Sequence, residues 1–133
     1  MPAIKRIHHL AIAVRDLDSA LEFWQEALGL TLTERRHVPA ESAEIAFFHL
    51  GEGEIELVRP TEAETGLARF LEKRGPGMHH LCLEVEGLDE LLENLKVRGV
   101  RLINETPRQG ENGRRYAFIH PESTGGVLVE LYE

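Results

Sequence analysis

Apolar positions in this chain follow one pattern twice. From Ile7 to Val14 they alternate as in a strand with one buried face, and from Leu17 onward Leu17, Leu21, Trp24 and Leu28 fall on one helical stripe. The pattern predicts a helix over 17–28 that stops at Gly29. Asp16 or Asp18 can cap its start, and Ser19 with Glu22 has the spacing of a capping box. Extended runs are expected over 30–37, 42–50 and 54–58. A second strand over 78–85, a helix over 88–98 ended by Gly99, and extended runs over 100–103, 115–120 and 127–132 repeat the order. Pro60, Gly66, Gly75, Pro76 and Gly77 mark a seam between the halves, with room for a short helix over 67–73, and the Gly-, Pro- and Asn-rich loop 104–113 is expected to be mobile or to close over a ligand.

The recurrence is a sequence duplication. Residues 7–24 set on 78–95, an offset of 71, are identical at eight of eighteen places: His8/His79, His9/His80, Leu10/Leu81, Val14/Val85, Leu17/Leu88, Asp18/Asp89, Leu21/Leu92 and Glu22/Glu93. Chance gives about one such identity at ordinary residue frequencies. The same offset carries Ala46, Phe47 and His49 onto Ala117, Phe118 and His120, and after a three-residue slip Glu56-Leu57 falls on Glu130-Leu131. The expected architecture is therefore α+β: two tandem βαβββ modules, 5–59 and 77–132, within one domain.

A metal enters through strand parity. Successive strand residues point to opposite faces, so Leu10, Ile12 and Val14 share the helix-packing face while His9, Ala11 and Ala13 look the other way. In the second copy His80, Cys82 and Glu84 oppose Leu81, Leu83 and Val85. Glu56 and Glu130 stand out in the same manner from Ile55-Leu57 and from Val127, Val129 and Leu131. Two imidazoles and two carboxylates thus occupy equivalent positions in the two copies, where a pseudo-twofold arrangement can unite them. That donor set accepts Co, Mn, Ni, Zn or Fe(II) and neutralises a 2+ ion. His8 and His79 share parity with the apolar face and are second choices. Cys82 reads as a small core or cavity-lining residue, and the pairs Arg35-Arg36, Lys73-Arg74 and Arg114-Arg115 read as solvated turns or as contacts for an anionic ligand.

Composition narrows the partners. The 133 residues suit one domain, and 15 Lys plus Arg against 23 Asp plus Glu leave a formal charge of −8, which disfavours nucleic acid. No apolar run approaches the roughly 20 residues of a membrane span, and the first residues lack a signal peptide's apolar stretch, so a cytoplasmic protein without membrane contact is expected. The single cysteine excludes an intramolecular disulfide and a thiolate zinc site within one chain. Exposed sheet edges lead us to expect a homodimer.

The strand His9-Leu-Ala-Ile-Ala-Val14, the duplicated unit and the His, Glu, His, Glu order resemble the vicinal oxygen chelate superfamily, which includes glyoxalase I. More narrowly, Gly77-Met-His-His-Leu-Cys-Leu-Glu-Val85 and His120-Pro-Glu-Ser-Thr-Gly-Gly-Val-Leu-Val-Glu-Leu131 resemble the methylmalonyl-CoA epimerases. The resemblance covers nearly the whole chain. It implies that the two modules form a curved mixed sheet around a metal site, with His9, Glu56, His80 and Glu130 as metal ligands, in a family where Gln can replace the second. It also implies a catalytic carboxylate at Glu44, where some of these epimerases carry one; Glu44 shares a face with Ala46 and Phe48.

The reaction so implied inverts C2 of methylmalonyl-CoA by proton removal and return. A divalent ion, Co2+ or Mn2+ foremost and Ni2+ or Zn2+ as alternatives, would bind the thioester oxygen and the substrate carboxylate. Glu44 would serve as one proton carrier and Glu130 as the other. The acyl-CoA phosphates would need a local basic patch among Arg35, Arg36, Lys73, Arg74, Arg114 and Arg115. Two alternatives stand beside this reading. One is glyoxalase I (lactoylglutathione lyase), in which metal-bound glutamates alone move the proton; the other is a non-catalytic small-molecule-binding member of the superfamily.

Overall fold

In the computed structural model, which describes residues 1–133, the chain divides into two compact units, one of 1–8 with 80–133 and one of 9–79. Strands β1 (Ala3–Ala13) and β5 (Gly77–Glu86) each contribute residues to both.

In the 9–79 unit the strands run in the order β2 (Glu34–Val38), β3 (Ala43–Leu50), β4 (Gly53–Pro60) and the end of β1. β1 and β4 are parallel, with Ala11 opposite Glu56, and β3 is antiparallel to β4, with Phe47 opposite Glu56. Its two faces bury separate clusters. Val14, Leu17, Leu21, Ala46, Phe48 and Leu57 pack on the side of α1 (Leu17–Leu21), and Ala11, Ala13, Val38, Ala43, Ile45 and Val58 pack on the other, where Leu71 of α2 (Gly66–Arg74) covers them.

The first helix is capped as its sequence requires: Asp16 accepts hydrogen bonds from the Ser19 backbone N–H at 3.0 Å and from its hydroxyl at 2.7 Å. These bonds hold the Asp16 carboxyl below the usual carboxylate range. The expected single helix to Leu28 is not uniform. After Leu21 the backbone opens into a π-helical turn, Glu22–Ala27, closed by the Leu28 N–H on the Phe23 carbonyl at 2.8 Å. The wider turn rotates Leu28 off the apolar stripe and into solvent, while Trp24 stays against the core.

In the other unit the order is β5, β8 (Val129–Tyr132), β7 (Arg115–Ile119) and β6 (Arg108–Gln109). β5 and β8 are parallel with Cys82 opposite Glu130, and β7 is antiparallel to β8 with Phe118 opposite Glu130. α3 (Leu88–Val97) buries Leu88 and Leu92 against Val85, Ala117 and Leu131.

Two expected strands are shorter than their apolar pattern. Leu30 and Leu32 pack in the core without pairing, and residues 100–103 form only a bridge from Leu102 to Ile119. The competing bonds are local. The Ile103 N–H donates to the Phe118 carbonyl at 2.8 Å, and the Asn104 side-chain oxygen accepts from the Phe118 N–H at 2.8 Å, which ends the ladder there and moves the edge strand to Arg108–Gln109. No helix is long and apolar enough to cross a membrane.

Candidate functional site

Parity and register place one His–Glu pair in each unit. In the 9–79 unit the His9 ring Nδ1 lies 3.3 Å from Glu56 Oε2. Ala11, next along the same face, stands opposite Glu56 and is fully buried. In the other unit His80 Nε2 lies 3.1 Å from Glu130 Oε1, with the Phe118 ring edge-on to the imidazole at 5.6 Å between centroids. The surroundings repeat as well: Phe47 stands opposite Glu56 as Phe118 stands opposite Glu130, and Ala11 as Cys82.

Burial sets these residues apart. His9 (7% exposed), Glu56 (7%) and His80 (8%) are the only buried polar or charged residues apart from Cys82. The Glu130 side chain is 13% exposed. Sinking carboxylates and imidazoles into a sheet face costs several kcal/mol unless each meets a partner or a cation.

The donors suit a metal. Two ligands at right angles on bonds of roughly 2.1 Å stand about 3 Å apart, which is the separation within each pair. A third carboxylate stands next to the first pair: one ligand atom from each of His9, Glu54 and Glu56 lies within 4.8 Å of the others, and Glu54 is held by His49. Glu54 has the same strand parity as Glu56, the signal by which sequence could have found it.

Glu44, the expected proton carrier, stands on the opposite face of β3 from the His9–Glu56 pair. Phe47 opposite Glu56 puts Ile45 and Phe47 on the face of the His9–Glu56 pair, so Glu44 faces the other way with Ala46 and Phe48. There its carboxylate is bracketed by Arg35 Nε at 3.2 Å and Arg59 Nε at 3.3 Å, and Arg35 also reaches Asp18 at the start of α1 at 2.7 Å. The position on the pair's face belongs to Ile45, which carries no proton.

The remaining candidates have ordinary partners. His8 packs on the Tyr132 ring at 4.7 Å and His79 is edge-on to Phe70 at 4.9 Å. Arg115 pairs with Asp89 at 3.0 Å and with Glu133 at 3.1 Å. Arg36 lies over Phe47, and Arg74 over Phe70.

On the face of His80 and Glu130, Glu84 meets Arg6 at 2.8 Å and Lys5 at 3.5 Å. Burial works to raise its carboxyl, but the two cations outweigh it and hold the group below the usual range.

A protein-family comparison matches residues 8–118 to the Glyoxalase/Bleomycin resistance protein/Dioxygenase superfamily. An uncharacterised Bacillus subtilis protein is 40% identical over 98% of this chain and 93% of its own length. The human mitochondrial methylmalonyl-CoA epimerase is 37% identical over 95% of this chain and 72% of its own. The crystal structure of methylmalonyl-CoA epimerase from Mycobacterium tuberculosis superposes with a TM-score of 0.87 at 37% identity, covering 98% of this chain and 88% of that one.

Proposed function

Because the chain belongs to the Glyoxalase/Bleomycin resistance protein/Dioxygenase superfamily and has its α+β fold, we propose that it is an isomerase of the racemase and epimerase class that interconverts the C2 epimers of methylmalonyl-CoA. In this reading His9, Glu56, His80 and Glu130 hold one divalent metal ion. The observation that carries the reading is the duplicated, buried His–Glu pair with metal-compatible donor spacing.

A divalent ion held there supplies Lewis acidity toward the thioester oxygen and so lowers the cost of the enolate. The chain's own residues do the rest. Inversion needs a proton carrier on each side of the planar carbon. Glu130 takes one side, and Glu56, its equivalent in the repeat, takes the other. Glu44 leaves this account, since its carboxylate is spent on Arg35 and Arg59. The chain has Glu where the family can have Gln at the second ligand, so a carboxylate is available there. Phe47 and Phe118 each stand opposite one of these glutamates, so the two surroundings match.

The test is to incubate metal-loaded protein with one methylmalonyl-CoA epimer in deuterated water and follow the 2-position by NMR. Deuterium should enter at C2 together with inversion; no exchange with Co2+, Mn2+, Ni2+ or Zn2+ would overturn the reading. One observation favours a second activity. With Glu44 out of reach, ligand glutamates are the proton carriers, as in the glyoxalase I reading, so the hemithioacetal of glutathione and methylglyoxal belongs in the same assay. Isomerisation of that substrate alone would decide for it.

A further inference from the structure

Glu54 stands beside the His9–Glu56 pair and has no task in the epimerase reading. Three strands bring it there. His9 of β1 and His49 of β3 are both register partners of Glu54 on β4, so the three side chains form a row on one sheet face, with Glu56 one same-face step along β4. One ligand atom each from His9, Glu54 and Glu56 lies within 4.8 Å of the other two, and Glu54 Oε2 meets His49 Nε2.

Burial sets Glu54 apart from an ordinary surface ion pair. Its side chain is 20% exposed and that of His49 60%, so the carboxylate is drawn inward, toward the buried His9 and Glu56, while the imidazole stays at the rim. Two carboxylates this close repel each other unless a cation lies within reach of both. Donors sharing one ion on bonds of roughly 2.1 Å stand about 3 Å apart when adjacent and about 4 Å apart when opposite, so the spread of this trio is near that of one coordination shell.

The second copy lacks the arrangement. The alignment that sets Glu56 on Glu130 sets Glu54 on Leu128, and His49 falls on His120, whose Nδ1 accepts the Glu122 N–H at 3.0 Å. Duplication therefore accounts for the two His–Glu pairs and not for Glu54, which belongs to one copy alone.

Resting on the epimerase reading, we propose that Glu54 is a fifth, exchangeable ligand of the same ion, filling one of the positions open to substrate while no substrate is bound and ceding it when the acyl oxygens arrive. His49 receives the released carboxylate and holds it at the rim. Four ligands plus Glu54 leave one octahedral position to water, so a substrate that chelates through two oxygens displaces Glu54 and that water together. A third carboxylate also adds oxygen character and negative charge, which favours Mn2+ over Zn2+.

The test loads wild type, Glu54→Gln and Glu54→Leu, which copies the residue of the other module, with Mn2+, and reads metal affinity together with the water-proton relaxation that the bound ion causes. Glu54→Leu should weaken Mn2+ roughly ten- to a hundredfold, the loss typical when a supporting group of a metal site is removed, and Zn2+ by less. Glu54→Gln, which keeps an oxygen donor without the charge, should fall between. Relaxation per bound ion should roughly double in Glu54→Leu, because two octahedral positions then carry water instead of one. Saturating methylmalonyl-CoA should bring wild type and Glu54→Leu to the same low relaxation, and relaxation that stays apart would overturn the exchange. Glu52→Gln, which removes a charge from the same hairpin, should bind Mn2+ like wild type, and comparable melting temperatures without metal exclude a folding defect. Weaker Mn2+ binding with unchanged relaxation would make Glu54 a source of charge only and overturn the proposal, as would equal affinities. A relaxation difference in protein that exchanges no deuterium at C2 keeps Glu54 as a ligand and removes the epimerase reading, whereas C2 exchange with equal relaxation does the reverse.

Discussion

Phe47 stands directly opposite Glu56 across the antiparallel β3–β4 ladder, and that register decides what Glu44 can do. Three residues earlier on β3, Glu44 is turned to the helix-packing face and tied to Arg35 and Arg59. Glu44→Gln should therefore keep kcat/KM within a few fold of wild type and lower stability by ~0.5–1 kcal/mol, the scale of partly exposed ion pairs. A steady-state assay beside a denaturant titration checks both. A hundredfold loss of turnover in a fully folded variant would place the Glu44 carboxylate at the reaction after all.

Adjacent histidines separate the metal reading from generic histidine effects. His80→Ala should lose bound metal and turnover together, whereas His79→Ala, whose ring is edge-on to Phe70, should keep both. Metal content by elemental analysis and exchange at C2 by NMR make the comparison. Chelating the metal from wild type should also lower the melting temperature, because an ion bound only by the folded chain stabilises it by mass action.

The start of α3 gives a pH-dependent prediction. Gly87, the residue before the helix, has no side chain to cap it, and the Glu133 carboxylate accepts the Gly87 and Leu88 N–H groups at 2.8 and 3.1 Å instead. Those backbone bonds, with help from Arg115, hold the Glu133 carboxyl below its usual value. A depressed folded value means stability that is present above the ordinary glutamate value of about 4.3 and is lost as pH falls through the folded value. Glu133→Gln should cost about 1 kcal/mol at pH 7, with the gap to wild type closing in acid. Urea titrations at several pH values measure it.

Gly87 itself is constrained twice. Its φ of +77° is left-handed, and a Cβ there would stand 3.2 Å from the Pro2 Cα. Gly87→Ala should therefore destabilise by roughly 1–2 kcal/mol, read as a lower denaturant midpoint with an unchanged slope.

Much of this protein was legible before folding. The duplication named the order of elements, and two-residue alternation separated His9 from Leu10 and His80 from Leu81, because strand geometry assigns faces locally whatever lies around it. The same rule grouped Glu44 with Ala46 and Phe48. Tertiary structure decided which face of β3 meets Glu56, since register depends on pairing between strands and on the turn that joins them. It also decided that a π turn would take Leu28 out of the core, and that Asn104 would end one ladder early. Between the twin residues Arg114 and Arg115, sequence offered no choice. The fold sends one to Asp89 and Glu133 and lays the other over Tyr132, because long charged side chains go to whichever partners packing brings within reach.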